Sequence, residues 1–438
     1  MDVVFSLVLY GLPLAVVVGA YLIRQRRVHA RHRHAQQEAI AAGMTEPASL
    51  HPLIDPSRCL GCGACVKACP EQPHHQVLGL INGKAVLVGP SECIGHGACK
   101  VVCPFDAITL VFGTERRGLD IPVLKPDFES NVPGIFVAGE LGGMGLIRNA
   151  LLQGQQALEA IAKRKGGGKG AGVLDVLIVG AGPAGLAASL AAKQGGLNYQ
   201  TLEQDSLGGA VFQYPRGKLV MTAPVELPII GKVQFRNTSK EELLQFWTEA
   251  CMGNSLNIRY RERVETIETK DGAFHVSAGG HRYVAANVLL AIGRRGTPRK
   301  LGVPGEELPK VVYRLIDPEQ YRGRRVIVVG GGDSALEAAA SIAELGDTSV
   351  ILSYRGEAFQ RAKQRNRQRV DDATGNGALR VLFNSQLREI RPAEVLLQHS
   401  GKDLKVDNDA VIVSAGGILP NDFLRSIGIT VETKYGTA

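Results

Sequence analysis

The chain has 438 residues, of which 45% are hydrophobic and 21% are charged, and this composition excludes a disordered or fibrous protein. Its length predicts about three domains. The net charge is +8, but much of it comes from one cluster, so we expect no nucleic-acid-binding surface. That cluster consists of Arg24, Arg26, Arg27, Arg31 and Arg33.

The N-terminal segment carries no charge from residue 3 to residue 23. As a helix it would be about 31 Å long, which matches the hydrocarbon core of a bilayer. We therefore predict a transmembrane anchor over residues 1–23 and a basic linker over 24–49. The arginines on its C-terminal side predict a single-pass protein of the cell membrane with cytoplasmic catalytic domains. A cleaved signal peptide and a buried soluble helix are the alternatives.

Two cysteine runs follow, and both end in a proline. The first has the spacing C-x2-C-x2-C-x3-C-P, and the second repeats it with histidine in the second position. The first run is Cys59, Cys62, Cys65 and Cys69, and the second is Cys93, His96, Cys99 and Cys103. Such spacing is typical of iron–sulfur clusters, whereas zinc sites usually use two separated pairs.

Residues 50–112 resemble the bacterial two-cluster ferredoxins, which are small α+β domains. The resemblance implies two clusters with crossed ligands. Cluster one would be held by Cys59, Cys62, Cys65 and Cys103. Cluster two would be held by Cys69, Cys93 and Cys99, with His96 either as the fourth ligand of a 4Fe–4S cluster or beside a 3Fe–4S cluster.

The first glycine-rich turn contains Gly180, Gly182 and Gly185, between an apolar strand and an alanine-rich helix. The next strand ends at Glu203. This strand–turn–helix–strand–acid order is typical of a dinucleotide-binding fold, in which the glycines admit a pyrophosphate and the acid binds ribose hydroxyls.

A second copy contains Gly330, Gly332 and Ala335. Its second strand is followed by Arg355 and by no acid. Because an arginine accommodates the 2′-phosphate of NADP, this copy favours NADPH over NADH, although NADH stays possible. The alternative is that Arg355 belongs to a solvated basic surface.

Together, the two copies resemble the two-dinucleotide-binding flavoproteins of the thioredoxin-reductase-like branch. Further motifs of that resemblance are Gly208-Gly209, Leu301 to Glu306, and Gly416 to Asn421. In that branch the first fold binds FAD and the second binds the nicotinamide cofactor. The implied fold class is α/β with two Rossmann-like domains, joined here to the ferredoxin domain and the transmembrane helix.

The branch closes its FAD domain with a late segment whose acid contacts the flavin's ribityl chain. Here the motif Val-Pro-Gly-Ile-Phe-Val-Ala-Gly139-Glu140 lies before the first glycine turn instead. We therefore predict a circular permutation, with an independent α/β element as the alternative. The expected domains after the ferredoxin are 113–165 (permuted FAD-domain part), 166–172 (Gly/Lys linker), 173–299 (FAD domain), 300–418 (NAD(P) domain) and 419–438 (return to the FAD domain).

The thiols that would support disulfide reduction are missing. The nicotinamide domain has no C-x-x-C pair, and Ala184 stands where the bacillithiol-disulfide-reductase-like flavoproteins carry a cysteine. Ferredoxin–NADP reductases of the same branch also lack the pair. The sequence thus favours electron transfer between NADPH, FAD and the clusters, with no catalytic side chain. A disulfide or quinone reductase and a non-catalytic redox sensor are the alternatives. The expected partners are a membrane and a redox protein or quinone, and a homodimer is possible.

Overall fold

The computed structural model describes residues 3–41, 47, 50–72, 76–93, 95–114, 118–143, 145–164, 172–216, 219–220, 224–234, 238–294, 296–359 and 362–436. The chain divides into two compact units. Unit 1 comprises Met1–Thr114 and Gly436–Ala438, and unit 2 comprises Glu115–Tyr435. The Gly/Lys linker predicted at 166–172 lies outside the described residues except for Gly172.

Unit 1 is a long helix followed by two antiparallel pairs of short strands and two short helices. Its elements are α1 (Val3–Ala41), β1 (His51–Ile54), α2 (Ala64–Ala68), β2 (Leu78–Ile81), β3 (Lys84–Leu87), a 3₁₀ turn (Pro90–Glu92), α3 (Ala98–Val101) and β4 (Ile108–Val111). Strand β1 pairs antiparallel with β4, and β2 pairs antiparallel with β3. The cysteines of the two runs lie in and around α2 and α3, and all of them except the exposed Cys62 belong to the core of this unit.

Helix α1 differs from the sequence-based prediction. It continues through the arginines, so the boundary expected at residue 23 falls inside one helix, and residues 24–41 of the predicted basic linker are helical. His32 is buried, and its Nδ1 accepts a hydrogen bond of 2.9 Å from the Leu80 N–H of β2. Burial is the main reason why the pKa of His32 is lowered. The basic half of α1 therefore packs on the β2–β3 hairpin.

The predicted membrane span finds no support in the described part of the chain. None of the helices described there combines the length and the apolar character that crossing a bilayer requires. The uncharged residues 3–23 do not form a separate helix. They are the first part of α1, which continues to Ala41.

Unit 2 begins with four elements that precede its first glycine turn. They are β5 (Leu119–Pro122) and β6 (Ile135–Val137), followed by a 3₁₀ turn (Glu140–Gly142) and α4 (Ile147–Lys163). The first nucleotide-binding half continues with β7 (Val176–Val179), α5 (Pro183–Gln194), β8 (Tyr199–Glu203), β9 (Leu219–Val220), β10 (Val225–Leu227), β11 (Gly231–Val233), β12 (Thr238–Ser239), α6 (Lys240–Gly253), β13 (Ile258–Tyr260), β14 (Val264–Lys270), β15 (Ala273–Ala278), β16 (His281–Ala285) and β17 (Val288–Leu290).

The five-stranded parallel sheet of this half has the order β13-β8-β7-β17-β6. Strand β6 occupies the edge next to β17, with Ile135 opposite Val288 and Val137 opposite Leu290. The predicted permutation requires the strand around Ile135 to join the sheet of Val176–Val179, and the observed order confirms this. All three residues of β6 are buried, so the strand belongs to the core of unit 2.

The second half of unit 2 forms another five-stranded parallel sheet, with the order β19-β26-β20-β21-β22. Its elements are β18 (Thr297–Pro298), β19 (Val311–Val312), a 3₁₀ turn (Pro318–Tyr321), β20 (Arg325–Val329), α7 (Asp333–Ala343), β21 (Ser349–Ser353), α8 (Gln364–Gly375), β22 (Leu379–Leu382), β23 (Ser385–Ile390), β24 (Glu394–His399), β25 (Lys402–Asp407), β26 (Ala410–Val413) and β27 (Gly417–Ile418). The last elements, α9 (Asn421–Ser426) and β28 (Val431–Lys434), follow it, and Leu424 and Ile429 share a core cluster with Ile135 of the first half.

The late strand β28 returns to the early strand β5. The two pair antiparallel, with Lys434 opposite Leu119 and Val431 opposite Pro122. Asp120 of β5 accepts hydrogen bonds from the Asn421 amide and the Thr433 hydroxyl, each at 2.7 Å. The predicted permutation requires residues 430–438 to finish close to the segment 113–130. The pairing agrees with this for the described part, which ends at residue 436.

Helices α4 and α5 pack closely because of one glycine. A Cβ at Gly154 of α4 would lie 2.0 Å from the Ala184 carbonyl oxygen of α5, so a side chain there displaces the helix. Six residues of α4 are buried, and this face fixes the helix over the sheet.

We predict that Gly154→Ala lowers the free energy of unfolding by about 1–3 kcal/mol, because overpacking forces the two helices apart. The matched control is Gly253→Ala at the end of α6, where a Cβ meets nothing within 4 Å. Chemical denaturation followed by circular dichroism measures both. Equal effects of the two substitutions would contradict the close approach.

Candidate cofactor-binding sites

Four cysteines from both predicted runs line one pocket in unit 1. The pocket has an empty volume of about 320 Å³, which includes its open mouth, and Cys59, Cys62, Cys65 and Cys103 all contribute to its wall. The rest of its lining is largely apolar, with side chains such as Ile54 and Phe105. These are the four residues that the crossed-ligand rule assigns to cluster one, and the chain brings them together as that rule requires.

Backbone geometry positions these sulfurs. Gly61 has φ 68°, and a Cβ there would lie 2.0 Å from the Gly83 carbonyl oxygen, so the turn between the first two cysteines requires glycine. The Ala85 N–H donates to the Cys59 sulfur and the Ala107 N–H donates to the Cys103 sulfur, each at 3.4 Å. Hydrogen bonds of this kind to ligating sulfurs tune the potential of a cluster.

The remaining ligands of the two runs form a second group. Burial, together with smaller contributions from the neighbouring Cys93 and Cys69, raises the pKa of the Cys99 thiol to about 11. Burial also raises the pKa of Cys93 to about 11, with a further contribution from Cys69. The His96 Nε2 lies 3.8 Å from the Cys69 sulfur. The structure thus brings together the residues predicted for cluster two.

These raised pKa values mean that deprotonation of the buried Cys93 and Cys99 thiols costs free energy. Metal binding offsets this cost because a coordinated thiol is deprotonated outright. Within the described ranges, no three His, Cys, Asp or Glu side chains are close enough to share one metal ion. Ligands of an iron–sulfur cluster bind different irons at its corners, so their donor atoms lie further apart than the ligands of a single ion.

The first glycine turn lies at the carboxyl end of β7 and at the N-terminus of α5. Gly180 has φ 106°, and its Cβ would lie 2.5 Å from the Ala291 carbonyl oxygen, while a Cβ on Gly185 would lie 1.8 Å from the Gly180 carbonyl oxygen. Gly182 is different. Its φ of −74° suits any residue, and a Cβ there meets only Gly209 at 3.8 Å. The fold does not require glycine at Gly182, so the space above it is available to a ligand.

Glu203 ends β8 beside this turn and is 5% exposed. Its carboxylate accepts hydrogen bonds from the Ala181 N–H at 2.7 Å and the Asp205 N–H at 2.9 Å. Burial raises the pKa of Glu203. Each oxygen keeps a further lone pair, so the carboxylate can also accept from the hydroxyls of a ribose.

The predicted Gly139 approaches the same turn from the end of β6. Gly139 has φ 85°, and a Cβ there would lie 3.1 Å from the Ala184 Cβ. Its N–H donates to the Gln153 amide oxygen at 2.9 Å. Glu140 follows on the surface and starts a 3₁₀ turn. Sequence reasoning missed Gln153 and Gly154, which fix this corner from α4, because their roles depend on helix packing that no local motif reveals.

The second turn repeats the pattern at the N-terminus of α7. A Cβ on Gly330 would lie 2.4 Å from the Ser414 carbonyl oxygen, and Ala335 is buried against the turn at 3.0 Å from that position. Gly332 has φ −101°, and a Cβ there meets nothing within 4 Å. The middle glycine, Gly331, has a purpose that the sequence did not reveal, since its Cβ would lie 2.4 Å from the ring of Tyr354.

The basic residues after β21 have different surroundings. Arg355 is exposed, and no hydrogen bond or ion pair joins it to another described residue. Arg369 of α8 instead forms an ion pair of 2.8 Å with Glu344. Part of the basic run is therefore structural, whereas Arg355 has no such partner among the described residues.

Comparisons with known proteins agree with this architecture. Residues 177–437 match the pyridine nucleotide-disulphide oxidoreductase family, and residues 51–104 match the 4Fe-4S dicluster domain. The chain therefore belongs to the pyridine nucleotide-disulphide oxidoreductase family. It is a thioredoxin-reductase-like flavoprotein fused to a 4Fe-4S ferredoxin domain. Strand β6 and helix α4 lie between the two matched regions, after residue 104 and before residue 177.

Among relatives, the ferredoxin–NADP reductase of Thermus thermophilus is 30% identical over 59% of this chain and 77% of its own length. Bacilliredoxin reductase Bdr of Bacillus subtilis is 26% identical over 59% of this chain and 82% of its own. Among solved structures, bacillithiol disulfide reductase Bdr from Bacillus cereus has a TM-score of 0.52 at 26% identity, covering 59% of this chain and 82% of that one.

We predict that Cys59→Ala and Cys103→Ala abolish the same cluster, because both sulfurs line one pocket. Iron content should fall by roughly half in each variant, and the same electron paramagnetic resonance (EPR) signal should disappear. Cys93→Ala should remove the other signal, and Cys251→Ala should remove neither. Loss of different signals in the first two variants would contradict the crossed pairing.

Proposed function

We propose that this protein transfers electrons between NADPH, FAD and two iron–sulfur clusters, as a ferredoxin–NADP reductase with a ferredoxin domain in its own chain. One observation carries the proposal. Gly182 and Gly332 are glycines in an ordinary backbone conformation and without a close protein neighbour, each at the N-terminus of a helix. A glycine that the fold does not need leaves room for a pyrophosphate to approach the backbone.

The FAD site is proposed at the first turn. The N-terminal N–H groups of α5 would hold the pyrophosphate, and Glu203 would accept from the adenosine ribose. Gly139 and Glu140 would contact the ribityl chain, and the N-terminus of α4 would face the flavin ring. Relatives are matched over 77–82% of their length, which fits a closing segment that has moved to the front of this chain.

The nicotinamide site is proposed at the second turn. Gly332 and the N-terminus of α7 would hold the pyrophosphate of NADPH, against the tight turn of Gly330 and Ala335. Arg355 would contact the 2′-phosphate. Bound FAD supplies a hydride acceptor that also exchanges single electrons, and the clusters supply one-electron carriers. The residues of this chain bind and orient these groups, and no acid–base pair is required.

Disulfide reduction is the second candidate, because the relatives include a bacilliredoxin reductase. The thiols argue against it. Ala184 stands in the first turn, and Cys251 is buried, which raises its pKa to about 11 and disfavours a reactive thiolate.

Quinone reduction and a sensing role stay open alternatives. The partners also stay predictions: a redox protein or quinone, a membrane, and a homodimer.

Gly182→Ala should reduce bound FAD per chain by roughly tenfold or more at limiting FAD, because the new methyl group occupies the space for the pyrophosphate. Flavin absorbance of the purified protein measures the effect. The unfolding midpoint of the flavin-free protein should match the wild type. Loss of folding instead of flavin would mean that this glycine is structural.

Gly332→Ala should raise the apparent KM for NADPH and NADH together, while FAD content stays unchanged. Gly375→Ala at the end of α8 is its control, since a Cβ there also meets nothing within 4 Å. Steady-state reduction of an artificial electron acceptor gives the apparent KM for NADPH and the apparent KM for NADH. An unchanged KM would place the nicotinamide cofactor elsewhere.

Arg355→Ala should raise the apparent KM for NADPH by roughly tenfold or more and leave that for NADH nearly unchanged, since a charge-assisted phosphate contact is worth about 1.5–3 kcal/mol. Arg322→Ala is the matched control, because Arg322 pairs with Glu319 at the other end of β20. An equal rise for both nucleotides would argue against a 2′-phosphate contact.

A further inference from the structure

His96 occupies the position in the second run that Cys62 occupies in the first. The two turns share their backbone, since the glycines after these residues, Gly63 and Gly97, have φ values of 75° and 78°. Cys62 is exposed, whereas His96 is half-buried. Equal backbone geometry gives His96 a ligand's position, so its ring contacts decide whether it can bind iron.

Both ring nitrogens of His96 have a neighbour. The Ala98 N–H donates to Nδ1 at 3.4 Å, and Nε2 lies 3.8 Å from the Cys69 sulfur. A nitrogen that accepts a hydrogen bond holds a lone pair and carries no proton. A neutral imidazole has one donor and one acceptor nitrogen, so these two contacts fit the tautomer that carries its proton on Nε2.

An Nε2 that carries a proton has no lone pair for iron. Metal-binding histidines use one nitrogen as the ligand and donate the N–H of the other to a partner. In His96 the other nitrogen faces a donor, which is the reverse arrangement. Iron binding through Nε2 would require the imidazole to turn away from Ala98 or to lose its only proton.

The contact between Nε2 and Cys69 leads to the same conclusion. Ligands on different corners of a cluster point away from each other, so their donor atoms do not approach to 3.8 Å. A hydrogen bond from a ring N–H to a sulfur does have such a length. The contact therefore fits a donor that approaches a ligating sulfur from outside the cluster.

We propose that cluster two is a 3Fe–4S cluster bound by Cys69, Cys93 and Cys99, and that His96 donates its Nε2–H to the Cys69 sulfur as a positioning residue. This inference rests on the cysteine assignment of the proposed function. Hydrogen bonds to ligating sulfurs stabilise the reduced, more negative cluster and so raise its potential. His96 would thus tune this cluster as the Ala85 and Ala107 N–H groups tune cluster one.

The test uses the full chain with its cofactors, purified without oxygen and reconstituted with excess iron and sulfide. Iron analysis should give about seven irons per chain, and the oxidised protein should show the EPR signal of a three-iron cluster. A four-iron cluster in its usual oxidised state is silent, so the signal distinguishes the two types.

Two substitutions separate a hydrogen-bond donor from a ligand. His96→Ala should keep about seven irons and the signal of the oxidised protein, while the midpoint potential of that signal shifts downward. His96→Cys should gain about one iron and lose the signal, because the run then has all its thiols. The gain also shows that the site has room for a fourth iron.

The opposite pattern would overturn the inference. It consists of about eight irons and no oxidised signal in the wild type, with one iron lost and the signal gained in His96→Ala. An unchanged potential in His96→Ala would overturn the hydrogen bond to Cys69. A reconstituted wild-type protein without iron would instead refute the cysteine assignment, and the flavin-binding measurements would be unaffected.

Discussion

The parallel pairing of β6 with β17 is the interaction on which the first nucleotide-binding half depends. It brings a strand from before the first glycine turn to the edge of a sheet that is otherwise built from later residues. Helix α4, which follows β6, then packs on α5 at Gly154, and its Gln153 amide oxygen accepts a hydrogen bond from the Gly139 N–H. Without this pairing, Gly139 would have no defined position beside Ala184, next to the first glycine turn.

A buried acid supports this arrangement where β6 begins. Glu129 is 5% exposed and accepts a hydrogen bond of 2.9 Å from the Gly134 N–H. Its carboxylate also pairs with Lys125 at 2.6 Å and with Arg164, which follows the end of α4. The Glu129 carboxylate therefore links Lys125, which precedes β6, to Arg164, which follows α4. Removal of Lys125 or Arg164 would leave this buried negative charge with less compensation.

Local motifs allowed much of this structure to be predicted from the sequence. Cysteine spacing identified the residues around both clusters, and the two glycine turns identified the helix N-termini, because these features depend on neighbours close in sequence. The long helix α1 was predicted wrongly in extent, since His32 packs on a hairpin that is distant in sequence. Tyr354 against Gly331, and Gly154 against Ala184, were missed because each is a contact between separate elements.

The permuted order also affects how the chain folds during synthesis. About 150 residues separate β6 from its partner β17, so at about 5–20 residues per second the ribosome makes the partner roughly 8–30 s later. During that interval the apolar residues of β6 and the buried face of α4 lack their native neighbours. The ferredoxin region has left the ribosome by then and can begin to bind iron. Expression conditions that slow elongation would lengthen the exposure of β6, and aggregation rather than cluster loss is its expected result.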